Sequence, residues 1–229
     1  MAAKILVIIP AYNEEESIGK VVDDIPKDLV SEVVVVNNNS SDNTRLNAES
    51  AGALVLDETQ MGYGYACLKG ISYTKEKKEG PDIIIFLDGD YSDYPGEIRE
   101  LVRPIIEDDV DMVIGSRTLG NAAEGALLPQ QIFGNWLAVN LIGFLYGIKF
   151  TDLGPFRAIK FDRLLELNMI DKTYGWTVEM QVKAAKKKFK CVEVPVSYRK
   201  RIGVSKITGT VGGSIKAGHK ILWTIFKYL

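Results

Sequence analysis

The chain has 229 residues, of which 46% are hydrophobic and 25% charged, a balance that suits one well-buried globular domain. Its 28 Lys and Arg against 30 Asp and Glu leave a net charge of −2, which gives no global reason to expect a nucleic-acid partner. Cys67 and Cys191 stand far apart with no CxxC spacing and no histidine nearby, which argues against zinc and a disulfide framework and fits a reducing cytoplasm.

Met1-Ala2-Ala3-Lys4 runs straight into Ile5-Leu6-Val7-Ile8-Ile9, too short for a signal peptide and closed by a proline, so no export signal is expected. Short β-branched runs then alternate with longer amphipathic stretches, the pattern of a mostly parallel sheet with crossover helices, hence an α/β fold. Strands are predicted at Lys4 to Ile9, Glu32 to Val36, Ala53 to Leu56, Asp82 to Leu87 and Val110 to Ile114. The first helix is predicted to follow Asn13 as its cap, with Glu16 at capping-box spacing. Further helices fit Asp42 to Ala51, Gly64 to Lys77 and Pro95 to Ile106, where the proline suits a first turn. Thr118 to Pro129 reads as a mobile loop, and Gln130 to Tyr146 as an apolar helix. Trp176 to Lys188 reads as another helix, Cys191 to Tyr198 as extended, and Gly212 to Tyr228 as a closing helix. The longest apolar stretches, Trp136 to Ile148 and Ile221 to Leu229, fall short of the ~20 residues of a spanning helix. Between Lys183 and Lys206 nine basic residues face a single acid, Glu193. That end favours an anion, although Lys186-Lys187-Lys188 also reads as a solvated helix face.

The strand Ile83-Ile84-Ile85-Phe86-Leu87 ends in Asp88-Gly89-Asp90, so two carboxylates emerge at the edge where open α/β sheets bind ligands. Residues two apart in extended chain point the same way, so Asp88 and Asp90 can share one hard cation, with Gly89 allowing close approach. Mg²⁺ or Mn²⁺ taking further ligands from water and a diphosphate suits such a pair. A plain Asp-Gly hairpin turn is the competing reading, but Tyr91-Ser92-Asp93-Tyr94-Pro95 does not continue as a returning strand. Pro10-Ala11-Tyr12-Asn13-Glu14 and Asn37-Asn38-Asn39-Ser40 close two more strands on the same edge. Asn37 or Asn38 can recognise a base edge through its amide, and Tyr12 can lie against a base or ribose, though each is also an ordinary turn or cap residue. Gly62-Tyr63-Gly64 opens a helix where backbone can approach a nucleotide. It is no dinucleotide fingerprint, because Cys67 holds the third glycine position and the segment does not follow the first strand.

Taken in order, Pro10-Ala11-Tyr12-Asn13-Glu14, the Asn37 turn, Gly62-x-Gly64, Asp88-x-Asp90 and Gly115-Ser116-Arg117 resemble family 2 glycosyltransferases. The branch they are most similar to is the dolichyl-phosphate mannose and glucose synthases. Asp152-Leu153-Gly154-Pro155-Phe156-Arg157 and Tyr198-x-x-Arg201-x-Gly203-x-Ser205-Lys206 extend the resemblance over nearly the whole chain. It implies a single GT-A domain, with residues 1–117 as the nucleotide-sugar half and 118–229 as the acceptor half. It also implies a UDP- or GDP-sugar donor, a divalent metal and inversion at the anomeric carbon, with UDP-glucose favoured over GDP-mannose and a polyprenyl phosphate as acceptor. Asp88 and Asp90 would meet the ribose, diphosphate and metal. Arg117 and Arg157 would stand near the acceptor phosphate, and Arg201, Ser205 and Lys206 would hold the donor diphosphate. Asn37-Asn38 replaces the usual Asp-Asp, Ser92 stands where mannose synthases carry a glutamine ligand, and Gly154-Pro155-Phe156 departs from the usual Ser- or Cys-Gly-Phe.

A phosphate acceptor needs no strong base, whereas a hydroxyl acceptor would need a carboxylate such as Asp152 or Glu179 to take its proton. Asp152 reads equally as a partner of Arg157 or a loop cap. The closing helix sets apolar Ile215, Ile221, Leu222, Ile225 and Phe226 beside Lys216, Lys220 and Lys227, which suits a peripheral membrane contact or core packing. A sugar nucleotidyltransferase would want a Gly-rich, lysine-containing loop after strand one, which is absent. A non-catalytic nucleotide-sugar module remains as the second class, separated by whether nucleoside diphosphate is ever released.

Overall fold

Runs of Ile and Val too short for helices form a seven-stranded sheet in the computed structural model, which describes residues 3–203 and 211–229. The strands are β1 (Ile5–Ala11), β2 (Glu32–Asn37), β3 (Leu54–Asp57), β4 (Ile83–Phe86), β5 (Met112–Ala122), β6 (Arg157–Lys160) and β7 (Cys191–Tyr198), in the order β3-β2-β1-β4-β6-β5-β7. All neighbours are parallel except β6, which runs antiparallel to both β4 and β5.

Alternate side chains of a strand face opposite ways, and here both faces are covered. Leu6, Ile8, Ile84 and Phe86 pack under α3 (Tyr63–Glu76), α5 (Pro129–Tyr146), α6 (Phe161–Leu167) and α7 (Trp176–Lys186). Ile5, Val7, Ile9, Ile83 and Ile85 pack under α1 (Ile18–Asp23), α2 (Thr44–Ser50) and α4 (Ile98–Glu107). The closing helix α8 (Val211–Lys227) divides the two expectations for it. Ala217, Thr224 and Ile225 are buried, while Trp223 and Phe226 are exposed.

The predicted strands and longer helices fall within a few residues of the observed ones, with four differences. Asn13 does not cap α1: it sits at φ +53°, and its side-chain oxygen accepts from Ser41 N at 2.9 Å. Residues 14–17 form a turn first, with Ser17 N and Ile18 N donating to Glu14 O, so the helix starts at Ile18. Pro95–Glu97 forms a short 3-10 turn ahead of α4. Strand β6 and helix α6 have no counterpart among the sequence expectations. Finally, the expected loop after Arg117 is strand as far as Ala122, because β5 resumes its pairing with β7 beyond a bulge, with Asn121 opposite Ser197 and Ala122 opposite Tyr198.

Gly120 makes that second stretch of pairing fit, since a Cβ there would lie 2.0 Å from the Val196 carbonyl oxygen. Gly120→Ala should cost about 1–3 kcal/mol of stability through overpacking. Denaturant titration checks the loss, and faster exchange of the Ala123 amide, which donates to Tyr198 O, checks its location.

Candidate active site

All four residues of β4 are buried, so the first positions where its chain can carry charge are those just past its C-terminal end. Asp88, Gly89 and Asp90 stand there, beside the ends of β1 and β2, and line a cavity of about 260 Å³. Pro10, Ala11, Tyr12, Glu14, Asn38, Gly62 and Arg201 line it too, so the structure gathers most of the sequence-predicted donor residues in one place. Asn37 and Gly64 are not in the lining, and Ser205 and Lys206 lie outside the described residues.

The two carboxylates differ in their surroundings. Oδ1 of Asp88 is buried with no hydrogen-bond partner among the described residues. Burial first, and the neighbouring Asp90 charge second, push its carboxyl up to about 7. Asp90 is fully engaged. Its Oδ1 accepts from Ser92 N at 2.9 Å and from the Ser92 hydroxyl, its Oδ2 pairs with Arg201, and its carbonyl accepts from Ile202 N at 3.0 Å. Ser92 therefore holds the Asp90 carboxylate in place, at the position where the sequence resemblance set a glutamine as the usual residue. The two acids offer hard oxygen donors that fit Mg²⁺ or Mn²⁺ once Arg201 moves off Asp90. No cluster of three metal-ligating side chains forms among the described residues, so the other ligands would come from diphosphate and water.

The asparagines do internal work. Asn37 donates to Asp57 at 2.9 Å and accepts from Ser40 N, and Asn38 donates to the carbonyls of Glu58 and Gln60 while accepting from Gly62 N at 2.8 Å. Their amides thus shape the wall and leave little capacity to read a base. Gly62 and Gly64 likewise make room for protein. A Cβ on Gly62, at φ +150°, would lie 2.4 Å from Lys172 O, and one on Gly64 2.1 Å from Asp171 O.

That close approach brings in a segment which sequence reasoning missed: Thr173 and Tyr174 complete the cavity, with Met61 and Tyr63. Asp171 Oδ1 accepts from Thr173 N and Gly175 N, so the spacing Asp171-x-Thr173-x-Gly175 was the legible signal for an ordered turn. Glu179 braces it from beneath. Fully buried, it accepts from Ile170 N, Asp171 N and the Tyr228 hydroxyl and pairs with Lys183 at 2.7 Å.

On the other side, Asp152 grips Arg117 through Nε at 2.8 Å, Nη2 at 2.7 Å and the backbone N at 2.8 Å, and the guanidinium lies 5.0 Å from the centre of the Tyr198 ring. Asp152 pairs with Arg117 and not with Arg157. The Arg157 side chain is fully buried, donates to the carbonyls of Leu153, Gly154 and Thr177, and lines no cavity described here. Burial lowers it to about 10. It ties the chain before β6 to the start of α7, with its donors spent on backbone carbonyls. Arg117 lines both a cavity of about 280 Å³ that reaches Asp88 and a groove of about 930 Å³ along α5. Asp93, also missed from sequence, is buried between these groups with neither oxygen hydrogen-bonded among the described residues. Burial, then the Asp88 and Asp90 charges, push it well above the carboxylate range.

Three further members of the basic cluster are occupied locally. Lys186 donates to Tyr228 O, Lys187 pairs with Glu166, and Arg199 stacks on Tyr91 and Tyr94.

Removing Asp152 would leave the Arg117 guanidinium, mostly buried, without its counter-charge. Asp152→Ala should therefore lose about 3–5 kcal/mol of stability, read from the denaturation midpoint.

A family model described as Glycosyl transferase family 2 matches residues 6–166. The undecaprenyl-phosphate mannosyltransferase of Micrococcus luteus is 30% identical over 225 residues, 92% of this chain and 90% of that protein. The dolichyl-phosphate hexose transferase of Haloferax volcanii is 31% identical over 212 residues, 91% of this chain and 88% of the other. Glycosyltransferase AglJ of the same organism is 29% identical over 198 residues, and the match spans 63% of its length. Among solved structures, glucosyl-3-phosphoglycerate synthase from Mycobacterium tuberculosis, crystallised with Mn²⁺, UDP and phosphoglyceric acid, superposes with a TM-score of 0.76 at 20% identity. That superposition covers 99% of this chain and 78% of the synthase, and the fold is the GT-A architecture expected from the sequence.

Proposed function

The chain belongs to glycosyl transferase family 2, and we propose that it transfers a hexose from a nucleoside-diphosphate sugar to a polyprenyl phosphate. The observation that carries the choice of acceptor is the engagement of both candidate bases. Asp152 is committed to Arg117, and Glu179 to the 170–175 turn. A hydroxyl acceptor would need one of them free, whereas a phosphate oxygen is already an anionic nucleophile at neutral pH. The names of the Micrococcus and Haloferax relatives support the same acceptor class.

The donor diphosphate sits at Asp88 and Asp90, with Arg201 swinging from Asp90 onto its oxygens. Arg117 guides the acceptor phosphate towards the anomeric carbon. The phosphate oxygen forms the new bond as the bond to the diphosphate breaks, inverting the anomeric carbon and releasing nucleoside diphosphate. A divalent metal held by Asp88 and Asp90 would supply neutralising charge to the leaving diphosphate. UDP-glucose is the proposed donor ahead of GDP-mannose, a preference in keeping with the UDP-glucose complex of the mycobacterial synthase. Residues 1–117 form the donor half and 118–229 the acceptor half, with Thr173, Tyr174 and Arg201 reaching across to close the donor cavity.

The acceptor's lipid chain would run along the α5 groove. Ile132, Trp136 and Phe144 are among the groove's lining, and all three are more than half exposed. No described helix is long and apolar enough to cross a membrane; the exposed apolar side chains of α5 and α8, Trp136, Phe144, Trp223 and Phe226, support the proposal of a peripheral contact at the cytoplasmic membrane face.

Incubation with UDP-glucose or GDP-mannose, Mn²⁺ or Mg²⁺ and undecaprenyl or dolichyl phosphate should release nucleoside diphosphate. Asp90→Asn keeps the size and the Ser92 contact but removes the charge, and should lower that release at least about a hundredfold, a loss of about 2.7 kcal/mol of transition-state stabilisation, with the melting curve unchanged. Binding of the donor with no release on any acceptor phosphate would identify a non-catalytic nucleotide-sugar module instead.

A further inference from the structure

Buried polar atoms without a hydrogen-bond partner are few in native proteins, and each asks for an explanation. Apart from Asp93, three of them line a single cavity next to the donor site. Trp176 is 1% exposed and packs edge-on against Phe86, with centroids 5.8 Å apart and an interplanar angle of 67°. The core thus fixes where its indole N–H points, yet Nε1 has no acceptor among the described residues. The Tyr63 hydroxyl, on the first turn of α3, is likewise unpartnered, as is Oδ1 of Asp88. The Tyr63 hydroxyl lies beside the Asp88 carboxyl, near enough to act on its ionisation as a weak hydrogen-bond donor, but the contact falls outside normal hydrogen-bond geometry.

All three residues line the cavity of about 280 Å³, and so do Arg201 and Arg117. Tyr63, Asp88 and Arg201 also line the donor cavity, whereas Trp176 and Arg117 do not. The unpartnered wall therefore stands at the passage from the donor diphosphate to the acceptor guide, the place where a transferred group has to sit.

We infer that Tyr63, Trp176 and Asp88 form the subsite for the pyranose ring of the donor. The proposal rests on the hexose-transfer reading above and names the residues that hold the sugar itself. The chemistry matches. An indole N–H only donates, a carboxylate oxygen only accepts, and a phenol does both. Each hydroxyl of a pyranose also does both, so neighbouring ring hydroxyls can accept from Trp176, donate to Asp88 and exchange with Tyr63. A purely apolar ligand would leave all three atoms unsatisfied.

Calorimetric titration with UDP-glucose, GDP-mannose, UDP and GDP, each with Mn²⁺, tests the assignment on the full chain. Tyr63→Phe and Trp176→Phe each remove one polar group and keep the ring. Each should weaken binding of the nucleotide sugar by about three- to tenfold, the worth of one neutral hydrogen bond, and leave the matching nucleoside diphosphate unchanged. Because Trp176 is part of the core, Tyr63→Phe serves as the variant whose packing is least disturbed. Equal weakening of sugar and diphosphate ligands, or no change in either, overturns the subsite. The second result would mean that a bridging water fills the wall. Wild-type protein that binds none of the four ligands would instead overturn the transfer reading on which the subsite rests.

Discussion

A single reversed strand decides what this sheet can bring together. β6 runs antiparallel between β4 and β5, so its N-terminal end lies at the edge where those two strands finish. Asp88 leaves β4 there, and Arg117 follows Ser116 in β5 at the same edge. The residues 152–156 that lead into β6 arrive from the opposite direction to meet them. A parallel β6 would have delivered Asp152 and Gly154 to the far edge, away from Arg117. Arg157, the first residue of β6, locks the reversal by donating to the carbonyls of Leu153, Gly154 and Thr177. A fully buried guanidinium is costly unless its donors are used, and here four hydrogen bonds to backbone oxygens use Nε and both terminal nitrogens.

Much of the polar chemistry at this edge holds the site's shape and leaves a smaller set of groups exposed to ligands. Asn37 and Asn38 tie the end of β2 to the last residue of β3 and the chain just after it. Asp171 and Glu179 order the turn that lies on Gly62 and Gly64. Ser92 fixes Asp90, and Asp152 fixes Arg117. With those contacts counted, Asp88, Tyr63, Trp176 and Asp93 are groups near this edge with unspent hydrogen-bonding capacity among the described residues, and the first three of them line one cavity.

The donor edge was legible from sequence because its signals are local. Ile83 to Leu87 is an unbroken apolar run ending in Asp88-Gly89-Asp90, and two further apolar runs end in polar turns. β6 was not legible: four residues, Arg157–Lys160, with charge at both ends, lack the alternation or the apolar run that marks a strand. The bulged continuation of β5 was hidden because Thr118 to Ala122 is polar and carries Gly120, which reads as loop until the Val196 backbone is seen against it. Roles were harder to read than positions. Asn13 has the composition of a cap, and Arg157 and Asp152 have the charges of a catalytic pair. Each is bound to a partner distant in sequence, and no local pattern encodes such contacts.

The two arginines facing the cavity are held in different ways, and the difference bears on how two anions could be brought together. Arg117 is clamped by three bonds from a carboxylate that is 1% exposed, and its guanidinium lies over Tyr198. Moving it would strand a buried charge on each partner, so it acts as a fixed feature of the wall. Arg201 is 30% exposed and meets Asp90 through one terminal nitrogen. Its Asp90 partner is 5% exposed, so the guanidinium can leave cheaply only where another cation takes its place. In the proposed reaction Asp90 would trade Arg201 for the metal while Arg201 trades Asp90 for phosphate oxygens, so that each charge keeps a counter-charge. On the proposed reading the exchange leaves neither Asp90 nor Arg201 without a counter-charge, while Arg117, held by Asp152, stays where it is.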